Sequence, residues 1–244
     1  MNIPFDIETV PTQNAELAAQ IAQQCLADRD DALAAVKAPS NYKDADKISA
    51  YITSEREKIL ANFESDVKTK IEKTSLDGGL GQIVCIGWAV DDGDTRCLQV
   101  VDLSAKSEAA MLEVWFDDLN KLHGGNRSTR PLLIGHNHVG FDIPFVWKRA
   151  VVHGIKPPFW FPRNPKPWAD SVFDTMTQWA GDRERIKMDA LCRILGIPGK
   201  GDISGADVWP MVQAGRLDEV AEYCRADVER TRAIYKRMTF ADAA

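Results

Sequence analysis

The sequence is short of the features that mark membrane-spanning or secreted proteins. No apolar run approaches the roughly 18–20 residues that a bilayer-spanning helix needs. The first residues lack the basic stretch followed by an apolar one that makes a signal peptide. Cysteine is sparse and odd in number, with five scattered residues (Cys25, Cys85, Cys97, Cys192 and Cys224) and no Cys-x-x-Cys pair. That spacing argues against a disulfide framework or a zinc finger and fits reduced thiols in the cytoplasm. Histidine numbers only four, without partner spacing, so His136-x-His138 is not read as a metal pair. Basic excess is also missing: the net charge is −6 and the pI about 5.3. Sequence-independent tracking along a duplex needs a broad basic face, which this composition disfavours. An enzyme that grips a few nucleotides remains compatible, and bound cations would offset part of the acidity. The chain contains no internal repeat and no low-complexity tract. Gly199-Lys200-Gly201 lacks Walker spacing and reads as a helix-ending turn.

What is present is an alternation of strand and helix signals. A chain of 244 residues can bury one sizeable core. Residues 2–8 read as a short buried strand that Pro11 ends. Two helical segments follow, about 15–36 and 46–73, separated by a turn at Pro39-Ser40-Asn41. In the second, Ile48, Tyr51, Ile52, Ile59, Phe63, Val67 and Ile71 fall on one stripe, and the Lys- and Glu-rich remainder reads as a solvated face. Strands at 82–90 and 95–103 flank a hairpin turn at 91–94. A helix at 107–122, a wholly apolar strand at 131–135 and a helix at 142–153 come next. The Pro- and aromatic-rich stretch 156–168 reads as a loop, followed by helices at about 188–195, 206–214 and 217–238. The order predicts an α/β fold around a mixed sheet, with 1–244 as one domain carrying a helical insertion at about 12–75.

Three acidic signals stand out. Asp6 and Glu8 lie two apart in the first strand, so both carboxylates share a face and repel unless a cation sits between them. Two hard oxygen donors on a strand suit Mg²⁺ or Mn²⁺, although an isolated Asp-x-Glu is more often an exposed strand end. Asp142 opens the helix after the apolar strand. It reads equally as an N-cap or as a site residue, since α/β sheets build their sites beyond strand ends. Tyr223 and Asp227 stand four apart on one helix face, beside the stripe Leu217, Val220, Cys224 and Val228. Alone they read as a core-edge Tyr beside a solvated Asp. Asp170 and Asp174 are spare acids near a loop, one of them a candidate helix cap.

Taken in order, these signals resemble the DEDD-type 3′–5′ exonucleases of the ribonuclease H-like fold, in the DEDDy branch whose third motif carries Tyr. The carrying residues are Phe5-Asp6-Ile7-Glu8-Thr9, His136-Asn137 with Phe141-Asp142, and Tyr223 with Asp227. A closer resemblance, to stand-alone exonucleases similar to the proofreading domain of family B DNA polymerases, rests on 82–87, 195–200, Asp207-Val208-Trp209 and Tyr223-Cys224. The resemblance implies a mixed five-stranded sheet flanked by helices, with the helical insertion after the first strand.

It also implies a hydrolase that removes nucleotides from the 3′ end of single-stranded DNA with two divalent ions, Mg²⁺ or Mn²⁺. Asp6, Glu8, Asp142 and Asp227 would be the metal ligands, with Asp6, expected to sit deepest on the strand, bridging. Tyr223 would orient the attacking water. A phenol with a pKa of about 10 is a poor base at neutral pH, so the metal would do most of the deprotonation. Thr9 and Asn137 would touch the terminal nucleotide. Phe141, Phe145 and Phe159-Trp160-Phe161 are candidates for base stacking, though each residue type is more often core. Lys156, Arg163 and Lys166 are candidates for phosphates. Any proofreading would act in trans, with a polymerase or repair partner and no membrane. A 3′–5′ exoribonuclease with the same acids, or a non-catalytic nucleic-acid-binding module that kept the fold, are the alternatives.

Overall fold

The computed structural model describes residues 1–181, 183–199, 201 and 203–241. The chain divides into two compact units, Pro11–Thr74 and the combination of Met1–Val10 with Ser75–Ala244.

The 11–74 unit is a helical hairpin. α1 (Ala15–Ala35) begins at Asn14, whose side chain accepts from the Glu16 and Leu17 amides, and α2 (Ala45–Glu72) begins at Asp44, which accepts from those of Asp46 and Lys47. Each cap satisfies amides that the first turn leaves unpaired. The apolar stripe of α2 is half-buried, and no residue of that helix is fully buried. The helices hold each other through Lys70 and Asp28 at 2.7 Å and through Arg29 over the Phe63 ring at 4.7 Å.

The larger unit is built on a mixed five-stranded sheet. Its strands are β1 (Asn2–Val10), β2 (Gln82–Trp88), β3 (Arg96–Gln99), β4 (Leu132–Gly135) and β5 (Val172–Asp174), in the spatial order β3-β2-β1-β4-β5. β1 pairs antiparallel with β2 and parallel with β4, so it sits at the centre. Ile3, Phe5 and Ile7 alternate onto one face and are buried there, Phe5 against Trp115 with ring centroids 5.1 Å apart. Trp115 belongs to α3 (Ala105–His123). Asp6 and Glu8 point to the other face, under α8 (Leu217–Met238).

α8 buries Val220, Tyr223, Cys224, Asp227, Val228 and Thr231, spaced three and four apart as one helical face requires. The helix comes close to the sheet at Gly87, where an added Cβ would stand 3.0 Å from the Cys224 sulfur and 3.1 Å from a Val228 methyl. α4 (Asp142–His153) is tied to α3 and β2 through Glu108. That fully buried carboxylate takes a two-pronged ion pair from Arg149 at 2.8 and 2.6 Å and the Ile83 amide at 2.8 Å. Such a pair adds little net stability relative to an apolar packing, but losing one partner would strand a buried charge.

The remaining helices are α5 (Thr175–Ala180), α6 (Met188–Leu195) and α7 (Val208–Gln213). The strand expected at 95–103 covers only Arg96–Gln99, at the edge of the sheet. The helix expected at 206–214 begins as a 3₁₀ turn at Gly205–Asp207. β5 and α5 had no sequence reading: three residues of strand are too few to show a period. No helix among the described residues is long and apolar enough to cross a membrane.

Candidate active site

β1, the β4–α4 link and α8 converge on a cavity of about 840 Å³ in the larger unit. Asp6, Glu8, Asn137, Phe141, Asp142, Tyr223 and Asp227 all line it. One carboxylate oxygen from each of Asp6, Glu8 and Asp227 lies within 4.8 Å of the other two. A β-bulge marks the spot: Glu8 pairs with Cys85 but Thr9 pairs with Ile83, so β2 carries one extra residue. Bulges redirect a strand next to functional positions. Asp6 is the most open of the four acids and not the deepest; Glu8, Asp142 and Asp227 are each under one-tenth exposed.

Asp142 is not an N-cap. Phe141 holds the cap position without a side-chain bond, and Asp142 is the first helical residue, buried and facing the cavity. Burial pushes its carboxyl well above the ordinary range, and the charges of Asp174 and Asp227 push the same way. Its neighbour His138 is fully buried, which lowers its pKa to about 3 and keeps the ring neutral. The His138 Nδ1 stands 3.3 Å from Asp142 Oδ2, yet neither ring nitrogen has a hydrogen-bond partner among the described residues, so this is a contact only. Gly135 leaves room for that ring: a Cβ there would lie 2.0 Å from Nδ1.

Tyr223 is raised above the usual phenol range by burial first, then by the charges of Asp227, Glu8 and Asp6. Its proton stays on, so it can donate and orient but cannot act as a base.

Asn137 adopts a left-handed backbone with φ 63°, a conformation that Asn tolerates better than most residues. Asp174, a spare acid in the sequence, holds it there. The fully buried Asp174 carboxylate accepts from the amides of Asn137 (2.9 Å), Val139 (3.0 Å) and Met176 (3.0 Å), and it caps α5. Asp170 is exposed. The strand-to-helix step at 174–175 was the signal for this role, weakened by the shortness of both elements. His136 contributes to the wall through Thr175 Oγ1 and the Ile186 carbonyl, both at 2.9 Å. The carbonyl only accepts, so Nε2 carries the proton.

Other residues lie elsewhere. The Thr9 hydroxyl donates to the Ser75 carbonyl at 2.7 Å, and Thr9 does not line the cavity. Phe145 is 2% exposed and packs behind Phe141, ring centroids 5.4 Å apart, so it is core and not an open stacking surface. Trp160 and Phe161 are core as well, and only Phe159 of that cluster is exposed. Arg185 and Lys187 line the cavity without any signal in the sequence beyond their charge. Lys200, part of the 195–200 segment, lies outside the described residues.

A family model described as "Predicted 3'-5' exonuclease related to the exonuclease domain of PolB" matches residues 75–244. No curated protein matches the sequence. Among solved structures, a family B DNA polymerase from the hyperthermophilic archaeon Pyrobaculum calidifontis superimposes with a TM-score of 0.52 at 15% identity. The match covers 67% of this chain and 22% of the polymerase, so the chain corresponds to about a fifth of that protein. At that identity the likeness is one of fold, the ribonuclease H-like arrangement of a mixed sheet flanked by helices.

Proposed function

This chain belongs to the family of predicted 3′–5′ exonucleases related to the exonuclease domain of PolB, and we propose that it hydrolyses single-stranded DNA from the 3′ end, as a DEDDy enzyme with two divalent cations. The observation that carries the reading is the gathering of Asp6, Glu8 and Asp227 within 4.8 Å, from the two ends of the chain, beside Tyr223. In this reading the larger unit is the exonuclease and the 11–74 hairpin an insertion within one functional domain.

The donor set fits such ions. It consists of carboxylate oxygens, the ligands that Mg²⁺ and Mn²⁺ prefer. Asp142 is buried with its carboxyl raised, beside an imidazole that has no hydrogen-bond partner among the described residues. Asp6, Glu8 and Asp227 would hold one ion, and Asp142 together with Asp6 the second. When bound, the pair would supply Lewis-acid stabilisation to the attacking and leaving oxygens of an in-line displacement.

The protein's own groups do the rest. Tyr223, protonated throughout, donates a hydrogen bond that fixes the attacking water relative to the phosphorus. Asn137, rigid in its left-handed turn, meets the terminal sugar, and Phe141 offers a ring face to the last base, backed by Phe145. Thr9, whose hydroxyl is engaged by the Ser75 carbonyl outside the cavity, has no part in this arrangement. Arg185 and Lys187 line the cavity and meet the backbone phosphates. DNA is favoured over RNA by the relation of the family to the exonuclease domain of PolB.

The test is to incubate the protein with Mg²⁺ or Mn²⁺ and matched DNA and RNA strands labelled at the 5′ terminus. Stepwise shortening of DNA, abolished by Asp6→Ala with the fold retained, is expected. Full activity in Asp6→Ala defeats the assignment. Shortening of RNA alone replaces the substrate, and no shortening of either strand favours a binding module.

A further inference from the structure

A second cluster of donor atoms lies beside the carboxylates and takes no part in the proposed hydrolysis. Cys85 on β2, Cys97 on β3 and Cys224 on α8 bring their sulfurs within 4.8 Å of one another. The sheet dictates the meeting. Cys97 pairs with Gly87, and Cys85, two residues before Gly87, shares its face. Cys224 descends onto that face from α8 and fills the space that the missing Gly87 side chain leaves. Cys85 and Cys224 are fully enclosed, while Cys97 is partly exposed, so the trio is reached from one side. Asp6 and Glu8 stand on the same face, paired with Gly87 and Cys85 respectively. A hard oxygen cluster and a soft sulfur cluster are therefore neighbours on one surface.

We propose that Cys85, Cys97 and Cys224 form a binding site for a thiophilic cation of the zinc and copper(I) class, adjoining the acid cluster but distinct from it in the metals it accepts. Thiolates select soft ions, and Mg²⁺ or Mn²⁺ gains little from them. Binding exchanges the S–H protons, which leave to solvent, for metal–sulfur bonds, and nothing is oxidised or reduced.

The geometry asks for a modest closure. With zinc–sulfur bonds of about 2.3 Å, sulfurs on one tetrahedral ion stand about 3.8 Å apart, so the trio tightens by up to roughly 1 Å. Tightening draws α8 and β3 toward β2. It also removes the Cys224 proton that is now donated to the Asp6 carbonyl at 3.4 Å. Occupation is thereby transmitted to the strand that carries Asp6 and Glu8.

Cobalt(II) tests the proposal, because thiolate-bound cobalt shows a sulfur-to-metal charge-transfer band that carboxylate-bound cobalt lacks. The full chain, reduced and stripped of metal, is titrated with Co²⁺. The expected result is a band that saturates at one equivalent, persists in excess Mg²⁺ or Mn²⁺, and is displaced by Zn²⁺ or by Cu⁺. The metal that displaces it at lower concentration is the site's preferred ion. Cys97→Ser should cut the band at least threefold, whereas Cys25→Ser and Asp6→Asn should leave it. Absence of the band in the unaltered protein overturns the site without reference to any variant. So does a band that Cys97→Ser does not weaken, or that neither Zn²⁺ nor Cu⁺ displaces. The readout is independent of nuclease activity, so the sulfur site and the exonuclease reading stand or fall separately.

Discussion

Arg230 donates to the Asp227 carboxylate at 2.6 Å from one turn further along α8, while its Nε reaches the Gly199 carbonyl at 3.2 Å. The pair is mostly enclosed, with side-chain exposures of 16% and 4%. The guanidinium thus brings positive charge into a cluster of acids and ties it to the loop after α6. Removing one partner of such a pair leaves a buried charge without compensation. Arg230→Gln should cost the metal-free protein about 3 kcal/mol, or roughly 6–12 °C in melting temperature at this chain length. Bound Mn²⁺ would replace the missing charge, so the variant should gain more from Mn²⁺ than the parent does. Melting both proteins in EDTA and in Mn²⁺ decides. Equal gains would mean that the cation binds away from Asp227.

Asp142 and His138 make opposite contributions to stability as pH changes. The folded carboxyl of Asp142 lies above its unfolded value of 3.8, so the native state holds that proton more tightly and loses stability as pH climbs past 3.8 toward the folded value. The folded His138 lies at about 3 against 6.5 unfolded, so the unfolded state takes that proton first, and stability is lost as pH falls from 6.5 toward 3. Without metal, Asp142→Asn should melt higher than the parent above the ordinary carboxyl range, with a gap that widens as pH rises. Its acid limb should be unchanged, and its activity lost. Melting curves in EDTA from about pH 4 to 9 measure this. An Asn variant that melts lower at every pH would show that the buried carboxyl is not the strained group.

Much of this was legible in the sequence, and the exceptions have physical causes. β1 announced itself through Ile3, Phe5 and Ile7 alternating with Asp6 and Glu8, and Pro11 stopped it. α4 and α8 were readable from residue to residue because Gly154 and a long stripe of apolar spacing bound them. The meeting of Asp6 and Glu8 with Asp227 was inferred from motif order, since no periodicity links residues so far apart. β5 and Asp174 were not readable: a short buried strand carries no period, and a carboxylate that accepts several backbone amides looks like any loop acid until those amides are placed. The depth of Asp6 was misjudged because burial at β1 depends on what covers each residue. Phe145, expected at an open surface, is buried behind Phe141, because helix position alone does not say which of the two faces the cavity.

Tyr223 sits on the same face as Asp227, and its pKa is raised by burial and by the surrounding carboxylates. A phenol that keeps its proton contributes orientation and little basicity. Tyr223→Phe removes the donor and keeps the ring, so the reaction should slow by roughly 10- to 100-fold without stopping. The Mn²⁺-dependent gain in melting temperature should remain. A rate that becomes independent of pH in the variant, or a lost Mn²⁺ gain, would assign the hydroxyl to proton transfer or to metal binding instead.

Asp174 organises the turn that carries Asn137. Its Oδ1 accepts from the Asn137, Met176 and Thr177 amides at 2.9, 3.0 and 3.4 Å, and its Oδ2 accepts from Val139 at 3.0 Å. Asp174→Asn keeps the volume but has a single oxygen, so one of these two groups of amides must face an NH₂ that also donates. A buried donor left unsatisfied costs about 1–3 kcal/mol, and the left-handed Asn137 loses what holds it. The carboxylates of Asp6, Glu8 and Asp227 do not depend on this turn. The variant should therefore melt lower, keep its Mn²⁺ response, and lose kcat/KM for DNA mainly through a raised KM. If KM held steady while the Mn²⁺ response vanished, Asp174 would belong to the metal site and Asn137 would have no part in gripping the 3′ end.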